Sequence, residues 1–285
     1  MKVGFMVIGA QKCGTTSLAH QLAQHPEICF CKKKEPNFFS TVGDWRGGLD
    51  EYHRLYEGHG GRLCGEASPQ YTFLPEYLDT HRRIYEYNPK VKLVYIVRQP
   101  VDRVASHYAH RHLAQVTQGD PDAEVLARAD YVNRSRYAVQ IRPYYDLFPA
   151  ENIRVLTLDE YATRPREVLR DLARFLDVDP GAIEGIDLTP QNVSVQRQFT
   201  RFPQLAPVYR RLRHHILDKG VRARLRRLVG WAYFGRRMRE RPDLSPHVRQ
   251  VLWQLLEDDV RALEDLTGLD LADWSERPAE KRTVA

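Results

Sequence analysis

The stretch FMVIGAQKCGTTSLAHQLAQHPEI, residues 5–28, decides the fold. Its first four residues are apolar and lead into Gly9, and its second half has a helical pattern. Gly9 and Gly14 have the spacing of the glycines in a nucleoside-triphosphate P-loop, G-x-x-x-x-G-K-[ST]. Here, however, Thr15 follows Gly14, and the lysine is Lys12, two residues before that glycine. The stretch therefore predicts a strand, a phosphate-binding type of loop and a helix, with the lysine in an unusual position.

A strand, a glycine loop and a helix in this order provide the groups that bind an anion. Backbone N–H groups and the helix dipole both point at the ligand. Thr15, Thr16 and Ser17 add hydroxyl donors, and Lys12 adds a positive charge. We predict that these four residues and Gly14 bind a phosphate-like group.

Short apolar segments alternate with helical patterns along the chain. This alternation predicts an α/β fold, a P-loop-like parallel β-sheet flanked by helices. The most apolar run, VKLVYIV, indicates a central strand buried on both faces. The apolar runs lie at 3–8, 28–30, 62–65, 91–97 and 152–158, and the helical patterns at about 15–25, 75–88, 101–113, 135–147 and 160–176.

The C-terminal part of the chain is predicted to be helical. The last clear helical pattern has Ser245 as N-cap and Pro246 at its first position, and it ends at Gly268. No internal repeat or long linker divides the chain. We predict a single domain over residues 1–275 and a polar tail over residues 276–285.

The composition is that of a soluble globular protein. Of the 285 residues, 42% are hydrophobic and 28% are charged. No apolar run approaches the roughly 20 residues of a membrane span. The four cysteines, Cys13, Cys29, Cys31 and Cys64, include no C-x-x-C pair. Free, buried thiols in a reducing cytosol are therefore expected, and we predict a cytoplasmic protein.

The positive charge of the chain is concentrated in residues 209–242. This segment holds twelve Lys or Arg and two acidic residues, a local charge of +10 in a chain of net charge +6. We predict a basic helical segment here. The segment is either a solvated arm or a face that binds an anionic acceptor or a membrane surface. Binding to a membrane surface would make a peripheral membrane location the alternative to a purely cytoplasmic one. Nucleic acid is not an expected partner, because no base-reading motif accompanies the arginines.

A second anion-binding feature follows the predicted central strand, which ends in YIVRQP. Arg98 stands where a nucleotide kinase or NTPase needs a carboxylate for Mg²⁺, and Ser106 lies on the helix that Pro100 opens. Ligands of such folds bind at the C-terminal ends of the strands. We therefore predict a ligand with phosphates at two places, bound without a metal, and the kinase or NTPase remains the alternative. The molecule 3′-phosphoadenosine 5′-phosphosulfate has this shape.

Several blocks resemble the motifs of sulfotransferases. GAQKCGTTSL resembles their 5′-phosphosulfate loop, and IVRQPVDRVASHY resembles their 3′-phosphate motif. KEPNFF and GEASPQYTF are similar to the next blocks of the heparan-sulfate-type and bacterial carbohydrate sulfotransferases. The resemblance covers roughly residues 3–178. It implies transfer of a sulfonate group from 3′-phosphoadenosine 5′-phosphosulfate to an acceptor hydroxyl or amine, with a glycan, glycolipid or glycosylated natural product favoured.

Roles for single residues follow from the chemistry and from this resemblance. Charge builds on the leaving oxygen during sulfonate transfer, and Lys12 is placed to neutralise it. The resemblance implies that Glu35, in KEPNFF, is the base, and Glu66, at the end of the strand RLCGE, is the alternative. The family's second 3′-phosphate loop corresponds to QNVSVQRQFTRFP, where Arg197 is the candidate ligand.

Overall fold

The computed structural model shows an α/β protein built around one parallel sheet. Neighbouring strands of this sheet are parallel throughout. The predicted fold class is therefore confirmed. The structure describes residues 1–114, 116–117, 119–191, 198–200, 234–237 and 242–275.

The sheet has five strands in the order β2-β3-β1-β4-β5. Every residue of β1 is buried, and β4 is buried from its second residue onward, as the apolar sequences of both strands require. The middle strand of the sheet is β1, and β4 lies beside it, between β1 and β5. The strands are β1 (Phe5–Gly9), β2 (Ile28–Phe30), β3 (Leu63–Ala67), β4 (Lys92–Val97) and β5 (Ile153–Thr157).

Helices connect the strands, as parallel pairing demands. In chain order they are α1 (Thr15–Leu22), α2 (Phe38–Thr41), α3 (Leu49–Arg54), α4 (Thr80–Tyr87), α5 (Pro100–Leu113), α6 (Pro121–Ala127), α7 (Ala129–Asn133), α8 (Tyr137–Tyr145), α9 (Leu158–Thr163), α10 (Pro165–Phe175) and α11 (Pro246–Thr267). Among the described residues, no helix has the length and apolarity that a membrane crossing needs.

The pattern predicted as one helix over 160–176 is two helices. Thr157 caps α9, its side chain accepting the Glu160 N–H, and this helix ends at Thr163. The next helix begins at Pro165, and Arg164 between them has φ −130° and ψ 55°. A proline has no N–H and disfavours helical geometry in the residue before it, so the two helices cannot merge.

The last helix, α11, packs on the helices beside the central strands. Its Asp259 accepts the N–H groups of Ala138 and Val139, each at 3.0 Å, and so caps the start of α8. Its buried Arg249 pairs with Asp102 on α5. The predicted C-terminal helix is confirmed, and these contacts fix it against α8 and against α5, the helix that begins two residues after Arg98.

Two further strands, β6 (Gln198–Thr200) and β7 (Phe234–Arg237), form a separate antiparallel pair. The second strand lies within the segment 209–242 that we predicted to be helical, so that prediction is wrong for these four residues. Phe234 favours a strand and Gly235 disfavours a helix, which is consistent with the observed pairing. The rest of that segment up to residue 241, together with the predicted tail 276–285, lies outside the described residues.

Candidate functional site

The glycine loop lies between β1 and the start of α1. Gly14 is the N-cap of α1 and has φ +90°, a left-handed conformation that suits glycine. A Cβ atom there would lie 2.8 Å from Cδ1 of Leu158, so a larger residue would also require the Leu158 side chain to move. The N–H of Ala10 donates to the Ile96 carbonyl at 2.7 Å and ties the loop to β4. The backbone at the start of α1 is thus held where an anion site is expected.

Lys12 is at the turn of this loop, with φ +73° and a partly exposed side chain. Thr15 and Thr16 form the first turn of α1, the former buried and the latter partly exposed. The predicted anion-binding residues therefore share one short segment of backbone, and their contact with a ligand stays a prediction.

Ser17 makes a different contact from the one expected. Its hydroxyl donates to the Gln191 carbonyl at 3.2 Å and accepts the Gln191 N–H at 2.9 Å. Further along α1, the Gln21 side chain donates to the Leu188 carbonyl at 3.0 Å. The chain from 187 to 191 therefore runs along α1 toward the glycine loop. Arg197, the predicted ligand six residues after Gln191, lies outside the described residues.

A buried arginine on α5 lies close enough to the loop residue Cys13 for their charges to interact. Arg103 on α5 is fully buried and donates to the Ser135 hydroxyl at 2.6 Å and to the Tyr131 carbonyl at 2.8 Å. Burial lowers its pKa, and the remaining terminal nitrogen, Nη1, has no hydrogen-bond partner in the described part of the chain. Our sequence reasoning missed Arg103, although it lies within the block IVRQPVDRVASHY. This side chain adds a buried positive charge within electrostatic range of the loop residue Cys13.

Cys13, within the loop, points into the protein interior. Its sulfur lies 3.6 Å from the Tyr137 hydroxyl, and burial raises the pKa of the thiol. A buried thiol of raised pKa is a packing residue, not a nucleophile. All four cysteines are buried and outside any disulfide, as the sequence predicted.

Arg98 follows the last residue of β4, and its side chain is 18% exposed. Its guanidinium lies 3.7 Å from the Asp102 carboxylate, one turn into α5. Ser106, one further turn along the same helix, is buried. Gln99 caps this helix by accepting the Asp102 N–H at 2.8 Å, which fixes the turn between strand and helix.

Glu35 lies in the loop after β2. It is exposed, has φ +49°, and its carboxylate is 3.7 Å from the Lys34 ammonium group. Two buried phenylalanines follow this loop, and the ring of Phe38 stacks on that of Tyr52 with centroids 4.3 Å apart. The aromatic packing anchors the loop, while the glutamate itself faces solvent.

Glu66, the alternative base, is enclosed. It lies on β3 with no exposed surface. Its carboxylate accepts hydrogen bonds from the hydroxyls of Tyr52 at 2.5 Å, Ser68 at 2.6 Å and Tyr71 at 2.8 Å. Burial raises the pKa of Glu66, and the three hydrogen bonds oppose that rise. The glutamate could be identified as a candidate from the sequence, but its contacts with the three hydroxyl groups could not.

The parallel sheet brings these features to one edge. Lys12 follows β1, Glu35 follows β2 and Arg98 follows β4, and parallel strands all end at the same edge of a sheet. Glu66 lies near the end of β3 at this edge. Among the residues that the structure describes, no group of three or more His, Cys, Asp or Glu side chains is arranged to hold a metal ion.

Comparison with known proteins gives the family. Residues 4–197 match the sulfotransferase domain family. Heparan sulfate glucosamine 3-O-sulfotransferase 5 of Mus musculus is 28% identical over 193 residues, which cover 61% of this chain and 53% of that protein. Carbohydrate sulfotransferase 15 of Mus musculus is 24% identical over 246 residues, covering 62% of this chain and 44% of that protein. The chain spans about half the length of these relatives.

A solved structure extends the likeness to nearly the whole chain. The crystal structure of a sulfotransferase from Alicyclobacillus acidocaldarius is 26% identical, with a TM-score of 0.67. The superposition covers 96% of this chain and 99% of that chain. Because the family match extends over more than half of the sequence, the chain belongs to the sulfotransferase domain family of enzymes.

Proposed function

We propose that the protein moves a sulfonate group from 3′-phosphoadenosine 5′-phosphosulfate to a hydroxyl of a carbohydrate-containing acceptor. One observation carries this proposal: the Lys12 loop and Arg98 follow the neighbouring strands β1 and β4 at one edge of the sheet. Two cationic side chains there suit a donor with phosphates at two places. The heparan sulfate and carbohydrate sulfotransferases to which the chain is similar support a carbohydrate acceptor.

The chemistry of the loop fits the 5′ end of this donor. Gly14 allows close approach of the backbone, because no Cβ shields it, and the N–H groups at the start of α1 attract an anion. Lys12 supplies a full positive charge at the same turn. Arg98 and Ser106 would hold the 3′-phosphate, and the buried charge of Arg103, which interacts electrostatically with the loop residue Cys13, favours a nearby anion.

In the transfer step, the acceptor oxygen forms a bond to sulfur while the bond from sulfur to the bridging oxygen breaks. The bridging oxygen and its electron pair leave with 3′-phosphoadenosine 5′-phosphate, and Lys12 stabilises the negative charge that develops there. The acceptor hydroxyl gives its proton to the carboxylate of Glu35. Atoms and charge are then balanced without any further reactant.

Accessibility favours Glu35 over Glu66 as the base. A general base must come within hydrogen-bonding reach of the proton that it removes. Glu35 is exposed, whereas Glu66 is fully buried and already accepts three hydrogen bonds. An acceptor hydroxyl can reach the first carboxylate without any rearrangement of the protein.

The test is a transfer assay with radiolabelled donor and a panel of glycans, glycolipids, glycosylated natural products, phenols and amines. We expect label in a carbohydrate-containing acceptor, together with an equal amount of 3′-phosphoadenosine 5′-phosphate. A Lys12→Met variant, which keeps the aliphatic stem and loses the charge, serves as control and should be at least about 100-fold slower. Hydrolysis of ATP with no transfer of label would contradict the proposal and support the kinase or NTPase alternative.

A further inference from the structure

Glu66 is connected to the loop of Glu35 through the hydroxyl of Ser68. This hydroxyl donates to the Glu66 carboxylate at 2.6 Å and accepts the backbone N–H of Asn37 at 3.0 Å. Since Ser68 accepts the amide proton, its own proton is available for the carboxylate. The direction of both hydrogen bonds is thereby fixed, from the loop toward Glu66.

A second connection has the same direction. The hydroxyl of Tyr71 donates to Glu66 at 2.8 Å and accepts the backbone N–H of Phe39 at 3.5 Å. The Ser68 and Tyr71 hydroxyls therefore link the buried carboxylate of Glu66 to two backbone amides, which lie two and four residues after Glu35. Chains of hydrogen bonds in a dry interior polarise and strengthen one another.

The loop that these bonds hold has an unusual backbone. Glu35 has φ +49° and Asn37 has φ +52°, and neither is glycine. Residues other than glycine populate this left-handed region sparsely, so it persists only where surrounding contacts enforce it. The bonded amide of Asn37 lies in this stretch, and that of Phe39 lies two residues after it. The hydrogen bonds of these two amides can therefore enforce the backbone conformation.

We propose that Glu66 is a positioning residue, which fixes the backbone that presents Glu35 through the Ser68 and Tyr71 hydroxyls. The proposal rests on the proposed function, in which Glu35 is the base. A carboxylate suits this task because it accepts from both hydroxyls at once, whereas an amide offers a single acceptor oxygen. Its complete burial removes competition from water.

The structure supplies a matched control in Tyr52. Its hydroxyl also donates to Glu66, at 2.5 Å, but among the described residues its one hydrogen-bond donor is the Tyr56 hydroxyl, at 3.3 Å, and not an amide of the loop. Tyr52→Phe therefore removes one hydrogen bond to Glu66 and leaves both connections to the loop. Ser68→Ala and Tyr71→Phe each remove one connection, so the proposal does not depend on the folding of a single variant.

The experiment measures amide hydrogen exchange and kinetics for the same variants. We expect faster exchange of the Asn37 amide in Ser68→Ala and of the Phe39 amide in Tyr71→Phe, and no change of either in Tyr52→Phe. We expect kcat to fall about tenfold in the first two variants, because small misplacements of a catalytic group are costly. Tyr52→Phe should stay within about twofold of wild type, and the KM for the donor should not change. The pH profile should keep its acid limb, since Glu35 is still the group that titrates.

Two results would overturn the proposal. One is equal exchange and equal kcat in Ser68→Ala, Tyr71→Phe and Tyr52→Phe, which would reduce Glu66 to a structural residue. The other is loss of the acid limb in Glu66→Gln and its retention in Glu35→Gln, which would make Glu66 the base. If the wild type transfers no sulfonate at all, the proposed function fails. The exchange data then still decide whether Glu66 holds the loop.

Discussion

The Arg98 guanidinium lies 3.7 Å from the Asp102 carboxylate, from Nη2 to Oδ2, and Asp102 is at the same time the partner of the buried Arg249. A separation of 3.7 Å is too long for a hydrogen bond, so Asp102 orients Arg98 only weakly. A phosphate that binds Arg98 would therefore have to displace only a weak ion pair with Asp102. This weak pairing is compatible with the proposed binding of a phosphate by Arg98.

We expect Arg98→Ala to weaken binding of the 3′-phosphate selectively. A charge-assisted hydrogen bond contributes about 1.5–3 kcal/mol, which corresponds to roughly 10- to 150-fold in affinity. The wild type should therefore prefer 3′-phosphoadenosine 5′-phosphosulfate over adenosine 5′-phosphosulfate by such a factor, and the variant should lose most of that preference. Calorimetry with both nucleotides measures this preference in the wild type and in the variant. Arg261→Ala, at an exposed arginine on α11, is the control.

An unchanged preference in Arg98→Ala would mean that Arg98 is only the partner of Asp102. The 3′-phosphate would then have to be bound elsewhere.

Donor binding should be independent of divalent metal. In the proposed site, Lys12, Arg98 and the buried Arg103 would supply the positive charge that Mg²⁺ supplies in kinases. We expect the affinity for 3′-phosphoadenosine 5′-phosphate, measured by calorimetry, to be the same in EDTA and in Mg²⁺ within about twofold. A strict requirement for Mg²⁺ would contradict this assignment of the charges.

Replacement of Glu35, the proposed base, should affect the chemical step alone. Glu35→Gln keeps the size and the hydrogen bonding of the side chain but removes the proton acceptor. General-base assistance typically contributes 10²–10⁴-fold, so kcat should fall by about that factor while donor affinity stays constant. The acid limb of the pH–rate profile should disappear, because it reports protonation of this carboxylate. A nearly wild-type kcat in Glu35→Gln would exclude Glu35 as the base.

Most of the sheet could be predicted from the sequence because its signals are local. Each strand is a short apolar run bounded by turn residues, and Gly9 and Gly14 mark the loop after β1. Helices α2, α3, α6 and α7 were not predicted. They are four to seven residues long, which is too short for a helical period to stand out.

The features of the site that depend on distant contacts could not be predicted. The Ser17 hydroxyl binds Gln191, which is 174 residues away, and no local pattern signals that pairing. The preference for Glu35 over Glu66 comes from the family resemblance, since the local patterns are alike: each is an acidic residue close after an apolar run. Burial distinguishes them, and the buried Glu66 accepts hydrogen bonds from Tyr52 and Tyr71, which come from outside β3.

His107 should make the protein less stable at mildly acidic pH. It is buried on α5, where its Nδ1 atom lies 3.4 Å from the Arg103 guanidinium and accepts from it. Burial, and after it the positive charge of Arg103, lowers the pKa of His107 below its ordinary value of 6.5. The unfolded chain therefore binds a proton at His107 more readily than the folded protein does. The stability conferred by neutral His107 is fully present above about pH 6.5 and is lost as the pH falls below it.

The test compares the wild type with His107→Gln, which does not titrate and whose side-chain oxygen can still accept from Arg103. Each pH unit below 6.5 should lower the free energy of unfolding of the wild type by up to about 1.4 kcal/mol relative to the variant. Between pH 7.5 and pH 5.0 this loss should be roughly 2 kcal/mol. Urea unfolding of both proteins at the two pH values measures the difference. His53 and His81, whose pKa values burial also lowers, are common to both proteins and cancel. A difference in free energy of unfolding that is the same at both pH values would show that His107 titrates normally in the folded protein.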